Sequence, residues 1–551
     1  MTATTPKLIV QLKNKQVLQK RRGMDHAQNL SDDNPVPLQI VDTADTQRHL
    51  WDQAHALVKN DAEVDFAEPD VLSQDTYMEQ SMAAEQQTLG EAESAYYSYI
   101  DYWPHPEKPE LWHLEDDYSG LRAARELLRA SGAKKKVRIA HLDTGYFSKH
   151  ISFPKDIINT ELQRNFAEGE EEHINNAEDA LVDGTLKMPG HGTGTLSILA
   201  GTKVAIPQYG FDDYLGLHDM IEIVPIRIAK SVVLFKSSGF VKALDYIINE
   251  LNAKEETRIH VITMSMGGLP SKAWAQMVNE VYEKGIFMVT AAGNNFGKLP
   301  ARTMVYPARF NRVVAACGVT YDKTPYAKPH GEGGLRIMEG NYGPTSLMGT
   351  AVAAFTPNVI WATYKYPGVV GIRGDGTSSA TPQIAAAAAL YYIKNYDALE
   401  ALPEPWMRVE AIRKALFDTA KKEIAPPYEA SDCEKFFGNG ILQARKMLDI
   451  PVAGPDTLEK QPRDKIFFPF LKLILGLRKP EEEMEDEMLE TELMQLILTD
   501  PVLQKILNNE ETRITKMSND EQMQLADAVL NNPHASDTLK QKMLEIKARL
   551  S

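Results

Sequence analysis

Short apolar runs alternate with stretches of helical periodicity between about residue 110 and residue 450, and this alternation constrains the fold more than any other feature. The apolar runs are 137–142, 221–228, 259–264 and 286–291. Between the last two, apolar residues recur at helical spacing, namely Trp274, Met277, Val278 and Val281. Strands that alternate with helices in this way form a parallel sheet with helices on both faces. The sequence therefore predicts an α/β domain.

Two further regions flank this domain, because 551 residues are too many for one compact core. The N-terminal region reads as strand, strand, helix, strand, which is typical of a small α+β unit, and the polar stretch 73–93 follows it as a linker or exposed helix. The C-terminal region has apolar stripes at helical spacing, from Leu489 to Leu507 and from Met523 to Ile546. We therefore predict three units: an α+β unit with its linker at 1–105, the α/β domain at 106–452, and a proline-rich linker with a helical module at 453–551.

Composition excludes several classes of function. The net charge of −16 argues against nucleic acid as a partner, because binding a polyanion requires clustered Lys and Arg. The two cysteines, Cys317 and Cys433, are far apart, which favours a reducing compartment over a disulfide framework. The N-terminus does not resemble a signal peptide, and no stretch has the roughly 20 consecutive apolar residues of a membrane span. We therefore expect a cytoplasmic protein with no membrane span and no nucleic-acid partner.

Asp143 is the first candidate for chemistry. It ends the apolar run 137–142, within His141-Leu142-Asp143-Thr144-Gly145. An acidic residue at the carboxyl end of a parallel strand faces the crevice in which such folds place their sites. The alternative is an ordinary turn, for which Asp-x-Gly is also suited.

His191 is the second candidate, since it opens an apolar helix between glycines in Gly190-His191-Gly192-Thr193-Gly194. The lack of bulky neighbours suits a base at a substrate cleft, although an incidental histidine at a glycine-rich helix start is the alternative. A phosphate-binding loop is excluded, because that motif requires Lys and then Ser or Thr after its last glycine. Here Thr195 and Leu196 follow.

Ser378 and Asn294 complete the set. Ser378 begins an alanine-rich helix in Gly376-Thr377-Ser378-Ser379-Ala380-Thr381-Pro382. An N–H at a helix start is unpaired within the helix, so it could stabilise an oxyanion. Asn294 follows the apolar run 286–291, and its side-chain amide could donate a second hydrogen bond. Helix capping by the serine and a plain turn at the asparagine remain the alternatives.

Asp-Thr-Gly, Gly-His-Gly-Thr and Gly-Thr-Ser-x-Ala-Thr-Pro, in this order, resemble the three signatures of the subtilisin-like serine peptidase family. The resemblance covers roughly residues 110 to 450. It implies a subtilisin-like parallel-sheet catalytic domain covered by helices, with an N-terminal propeptide-like α+β domain and a C-terminal α-helical module. It also implies a serine endopeptidase that acts on protein or peptide substrates through an acyl-enzyme. Asp143, His191 and Ser378 would form the catalytic triad, and Asn294 would contribute to the oxyanion hole.

The resemblance also implies where substrate and inhibitor bind. The segment Met264–Gly268 resembles the substrate-binding strand of the family, and Lys236–Phe240 resembles a second strand across the cleft. The expected substrate-binding residues are Ser265, Met266, Gly267, Gly268, Ser238 and Gly239. Family members often carry an α+β propeptide that blocks the cleft, and residues 6–71 have a compatible pattern that ends in Phe66-Ala67-Glu68-Pro69-Asp70. We therefore expect a zymogen that is inhibited by its N-terminal domain.

The sequence departs from the family at Gly194, where a second histidine is usual, and at Ser379, where a methionine is usual. Neither is a triad position, so the departures concern the shape of the cleft. No cofactor or metal is expected; calcium is common in the family but has no clear motif here. The competing hypothesis is a protease-like scaffold that binds peptides, with C-terminal helices that mediate assembly with a protein partner.

Overall fold

The structure is a computed structural model. It describes residues 6–20, 27–29, 36–43, 48–70, 100–107, 111–132, 135–184, 187–206, 211–217, 220–234, 236–296, 303–328, 337–466, 480–507 and 517–551. The predicted linker at 73–93 lies outside these residues.

The N-terminal unit is an antiparallel sheet with the strand order β2-β3-β1-β4. Its elements are β1 (Lys7–Leu12), α1 (Lys15–Lys20), β2 (Ala27–Asn29), β3 (Leu38–Asp42), α2 (Leu50–Asn60) and β4 (Val64–Pro69). Side chains of a strand alternate between the two faces of its sheet. Leu8, Val10 and Leu12 pack with Trp51 of α2 in the core of this unit, whereas Ile9 packs on the opposite face in a cluster shared with the middle unit. Both faces of the sheet are therefore buried.

The middle unit is built on a seven-stranded parallel sheet with the order β15-β13-β11-β10-β5-β9-β6. Its strands are β5 (Val137–Asp143), β6 (Arg164–Asn165), β9 (Ile221–Arg227), β10 (Val261–Met264), β11 (Phe287–Ala291), β13 (Val314–Val319) and β15 (Ala351–Phe355). Three antiparallel pairs surround it: β7 (Lys203–Ile206) with β8 (Phe211–Tyr214), β12 (Asn294–Phe296) with β14 (Met338–Gly340), and β16 (Val359–Trp361) with β17 (Gly371–Gly374). The predicted α/β parallel sheet is confirmed.

Helices cover both faces of this sheet. They are α3 (Leu121–Ala130), α4 (His191–Ala200), α5 (Ser238–Asp245), α6 (Lys272–Glu283), α7 (Gly376–Lys394), α8 (Tyr396–Glu400), α9 (Trp406–Thr419), α10 (Asp432–Phe437) and α11 (Ala444–Met447). The five alanines at 385–389 of α7 are all buried, so its backbone lies close to the sheet. The strands β5, β10 and β11 lead directly into Asp143, Ser265 and Asn294, which gathers these residues at the carboxyl edge of the sheet.

The C-terminal unit consists of helices that pack on both other units. They are α12 (Pro480–Thr499), α13 (Pro501–Leu507), α14 (Asn519–Leu530) and α15 (Asp537–Leu550). Most residues of its two predicted apolar stripes are buried, namely Leu489, Leu493, Ile497, Leu503, Leu507, Leu525, Val529, Leu539, Met543 and Ile546, whereas Leu544 is exposed. They share one hydrophobic cluster with α5, α6 and the Ile9 face of the N-terminal sheet. Within the described residues, no helix is long and apolar enough to cross a membrane.

Candidate active site

A hydrogen bond joins the strand end at Asp143 to the helix start at His191. His191 Nδ1 lies 2.7 Å from Asp143 Oδ1, and both side chains are buried. The helix start approaches so closely because Gly192 has no side chain; a β-carbon there would overlap the carbonyl oxygen of Gly145. Because Nδ1 donates to the carboxylate, Nε2 is the basic nitrogen of the ring.

The carboxylate of Asp143 has further donors. The Thr144 N–H donates to Oδ1 (2.7 Å), and the Thr195 hydroxyl donates to Oδ2 (3.0 Å). His141 Nε2 lies 2.8 Å from the same hydroxyl. Burial acts to raise the pKa of Asp143, but the charge and hydrogen bond of His191, together with His141 and the Thr144 N–H, hold it below its ordinary value. The carboxylate is therefore ionised at neutral pH.

Ser378 is the third residue of α7, so its N–H is one of those with no partner inside the helix. Its hydroxyl donates to the Ser265 carbonyl (3.3 Å), and the Ser265 hydroxyl donates to the Ser378 carbonyl (3.0 Å). Helices α4 and α7, which carry His191 and Ser378 in their first turns, pack against each other. The predicted nucleophile is thus tied to the predicted substrate strand.

Asn294 is held against the start of α7. Its Oδ1 accepts hydrogen bonds from the Thr377 N–H (2.9 Å) and hydroxyl (3.2 Å). Its Nδ2 lies 2.9 Å from the place that a β-carbon on Gly376 would take, and Gly376 has a φ of +70°. The amide donor of Asn294 and the Ser378 N–H therefore occupy the same end of α7.

The edge of the predicted substrate strand is occupied by the chain itself. The Gly267 N–H donates to the Val232 carbonyl (3.2 Å), and the Leu234 N–H donates to the Gly267 carbonyl (2.9 Å). Gly268 in turn exchanges two backbone hydrogen bonds with Tyr306, of 2.9 and 3.1 Å. In this conformation, an incoming peptide strand would have to displace the pairing of Gly267 with 232–234.

The prediction of a second substrate strand at Lys236–Phe240 is wrong. Ser238 and Gly239 form the first turn of α5. A helix begins there because the Asp70 carboxylate accepts hydrogen bonds from both the Ser238 N–H (2.7 Å) and the Ser238 hydroxyl (2.7 Å). The residues that face Gly267 are instead 232–234.

The sequence profile of the Subtilase family matches residues 134–440, which is more than half of the chain and includes all four candidate residues. The chain belongs to the subtilase family. The family assignment made from the three motifs is confirmed, and the parallel sheet fits a subtilisin-like fold.

Curated relatives of this subtilase include subtilisin DY of Bacillus licheniformis, which is 30% identical over 38% of this chain and 66% of its own length. A subtilisin-like protease of Coccidioides posadasii is 25% identical over 52% of this chain and 60% of its own length. The major intracellular serine protease of Bacillus subtilis is 29% identical over 53% of this chain and 80% of its own length. The chain thus spans less than two thirds of the first two relatives.

The departure at Gly194 has a physical reason. A β-carbon on Gly194 would overlap the indole of Trp361, which lies edge-on to the His191 ring with the ring centroids 5.5 Å apart. Sequence reasoning did not find Trp361, because it lies in β16, far along the chain from His191. A cavity of about 260 Å³ opens beside these two rings and is also lined by Lys187 and Tyr364.

Asp179 is a second residue that the sequence did not reveal. Its Oδ2 accepts hydrogen bonds from the Gly190 N–H (2.7 Å) and the Thr144 hydroxyl (3.3 Å), and its Oδ1 pairs with Arg227 Nη1 at 3.0 Å. These contacts join the turn before His191 to the segment after Asp143. No motif surrounds Asp179, whereas Thr195 could have been found, since it lies one helical turn after His191 on the same face.

Proposed function

We propose that this subtilase is a serine endopeptidase that hydrolyses peptide bonds through an acyl-enzyme on Ser378. The observation that carries the proposal is the 2.7 Å hydrogen bond between His191 Nδ1 and the buried Asp143 carboxylate. It supports a base with a defined tautomer, on a helix that packs against the helix that carries Ser378 in its first turn. A free serine hydroxyl attacks a peptide carbonyl poorly, so it requires such a base.

In the proposed reaction, His191 Nε2 accepts the Ser378 proton during attack and returns it to the leaving amine. Asp143 keeps the proton on Nδ1 and stabilises the imidazolium that forms. Water then hydrolyses the acyl-enzyme, with His191 again accepting a proton. The Ser378 N–H and Asn294 Nδ2 hold the oxyanion; the loss of one such donor costs about 2.7–4 kcal/mol in subtilisin itself.

We also propose that the N-terminal domain inhibits the enzyme. Glu68 accepts hydrogen bonds from the Ser271 hydroxyl (2.7 Å) and from the Lys272 and Ala273 N–H groups (both 3.0 Å), which caps α6. Asp70 caps α5 in the same way. These helices begin directly after the paired segments 265–268 and 232–234. Two carboxylates of one domain thus fix both segments, which supports inhibition by keeping the substrate edge closed.

Labelling with a fluorophosphonate probe tests the catalytic proposal. Ser378→Ala should abolish both labelling and peptide hydrolysis in a folded protein. Ser379→Ala is the matched control, because the Ser379 hydroxyl donates to the Asp375 carbonyl (2.9 Å) and has no role in the proposed chemistry. A probe adduct on another residue of the Ser378→Ala protein would contradict the assignment, and a parent chain that is never labelled would favour the peptide-binding scaffold.

The double variant Glu68→Ala with Asp70→Ala tests the inhibition. It should raise the rate of hydrolysis of a small peptide per labelled active site, because both caps are lost. Unchanged activity would contradict inhibition by this domain.

The proposed chemistry uses only groups of the protein. Among the described residues, no group of three or more His, Cys, Asp or Glu is arranged to hold a metal ion. The absence of a required cofactor or metal, a cytoplasmic location and a protein partner for the C-terminal helices stay predictions.

A further inference from the structure

The C-terminal helices contact the face of the N-terminal domain that is formed by the start of α2. Asp52 Oδ1 accepts hydrogen bonds from the Thr538 N–H (2.9 Å) and hydroxyl (2.6 Å), and its Oδ2 accepts one from the Asp537 N–H (3.1 Å). Asp52 therefore caps α15 from another domain. Beside it, Trp51 Nε1 donates to Gln495 Oε1 (3.1 Å) of α12. The contact between the N-terminal domain and the C-terminal helices therefore includes directed hydrogen bonds.

The same helices hold the catalytic domain at the start of α6. Gln495 Nε2 donates to the Pro270 carbonyl (2.9 Å), and Glu487 pairs with Lys272 Nζ at 2.6 Å. The turn at 270–273 is also the one that Glu68 caps. One short segment, directly after the predicted substrate strand, is thus bound at once by the N-terminal domain and by the C-terminal helices.

The apolar side chains of α12 also pack against both the N-terminal and the catalytic domain. Met488 belongs to the core of the N-terminal domain, with Leu8 and Phe66, whereas its neighbour Leu489 belongs to the cluster shared with the catalytic domain. A cavity of about 260 Å³ remains where the three units meet. Helix α12 therefore lies between the N-terminal and catalytic domains, at an interface that is not fully packed.

We propose that the C-terminal helices are an intramolecular clamp whose partner is the N-terminal domain of the same chain. The clamp keeps that domain seated on the catalytic domain, so that opening either the contact at Asp52 or the caps at Glu68 and Asp70 releases the protease in part, and opening both releases it fully. This inference rests on the proposed inhibition by the N-terminal domain. On this proposal, the two C-terminal apolar stripes pack against other domains of the same chain and not against a separate protein.

Hydrogen exchange of the full-length chain tests the clamp from both sides of the contact. Asp52→Ala on the N-terminal domain, and Gln495→Ala with Thr538→Val on the C-terminal helices, should each raise exchange in β1 and β3 by roughly tenfold. The first variant loses the cap of α15, and the second loses the hydrogen bonds of the Thr538 hydroxyl and of Gln495. Peptide hydrolysis per labelled active site should rise with the exchange. Lys59→Ala, an exposed position at the other end of α2, should change neither.

The outcomes separate the clamp from the inhibition. If exchange in β1 and β3 rises with Asp52→Ala but not with the C-terminal double variant, the effect is local to α2 and the clamp is rejected. If neither variant changes exchange while Glu68→Ala with Asp70→Ala activates the enzyme, the clamp is rejected and the inhibition stands. If both variants raise exchange but no variant raises activity, the C-terminal helices do hold the N-terminal domain, but the inhibition and the release of the protease through the clamp are both rejected.

Discussion

The indole of Trp361 fills the space that a β-carbon on Gly194 would need, and its edge faces the ring of His191. Gly194 in α4 and Trp361 in β16 are therefore complementary in size. A larger residue at position 194 of this chain would therefore require the side chain at position 361 to change or move.

Gly194→Ala should destabilise the protein by about 1–3 kcal/mol, because overpacking forces the indole or the helix to move. In a Trp361→Ala background, Gly194→Ala should cost much less than in the parent chain, since the overlap is gone. Urea unfolding in a Ser378→Ala background, which prevents self-digestion, measures both. Additive effects of the two substitutions would show that the side chains do not conflict.

Thr195→Val removes one donor from the buried Asp143 carboxylate and should cost about 1.5–3 kcal/mol at neutral pH. The pKa of Asp143 lies below its ordinary value, so the stability that its ionised form contributes is present at neutral pH and is lost as the pH falls through the folded-state pKa. The variant brings that pKa closer to the unfolded-state value, so the loss on acidification should be smaller and should end at a higher pH. Urea midpoints measured across pH check this. Ser197→Ala is the control, because its hydroxyl donates to the Gly194 carbonyl (2.6 Å) and not to Asp143; an equal shift there would refute the assignment.

Asn294→Ala should lower kcat about 100- to 1000-fold with a smaller change in KM, because its amide donor pairs best with the transition state. Asn294→Asp separates the two functions of this side chain. It keeps an oxygen for the Thr377 N–H but has no amide donor, so its kcat should be as low as that of the alanine variant. A normal kcat in the aspartate variant would mean that another group holds the oxyanion. Steady-state kinetics with a small peptide measure both.

The buried carboxyl group of Glu492 should make the free energy of unfolding fall as the pH rises. It lies in α12, with hydrogen bonds from the Ser536 N–H (2.7 Å) and hydroxyl (2.8 Å). Burial, with the nearby charge of Asp52, raises its pKa from 4.5 to about 8, against the opposing effects of Ser536 and Lys540. The folded state therefore keeps a proton that the unfolded chain releases near pH 4.5, so the stability is complete below that pH and is lost as the pH rises to about 8.

Glu492→Gln should remove this part of the pH dependence, because the amide stays neutral. Urea midpoints at pH 5 and pH 8 in the Ser378→Ala background measure it. The exposed Glu545→Gln serves as the control and should keep the parent slope. An unchanged slope in Glu492→Gln would show that other groups cause the dependence.

The sequence predicted those features that depend on neighbouring residues. Asp143, His191 and Ser378 each stand in a short motif, and the strands of the parallel sheet are continuous apolar runs, as burial on both faces requires. Ser238 was placed in a strand because nothing in Lys236–Phe240 itself marks a helix start, and the deciding group is Asp70, 168 residues away. The same limit hid the contact between Asp52 and Thr538, which are 486 residues apart.

In the C-terminal region, too, neighbouring residues alone did not decide where each helix begins. Asp500-Pro501 and Asn532-Pro533 each place a polar residue before a proline, a pattern typical of a helix start. Only Pro501 opens a helix; the helix after Pro533 begins at Asp537, after the Ser536 cap. The apolar stripes were correctly placed on helices. What they would cover could not be read from their periodicity, because a stripe facing its own chain and one facing a partner have the same spacing.

The attachment of the N-terminal domain at two separate places, Asp52 and the pair Glu68 and Asp70, makes it a bivalent ligand of the rest of the chain. When one attachment opens, the other keeps the freed surface at a local concentration on the order of millimolar, so it rebinds before the domain departs. Neither attachment then has to be strong for the N-terminal domain to stay bound for a long time. Loss of one attachment therefore frees the protease for only part of the time, whereas loss of both lets the domain depart and activates the protease fully.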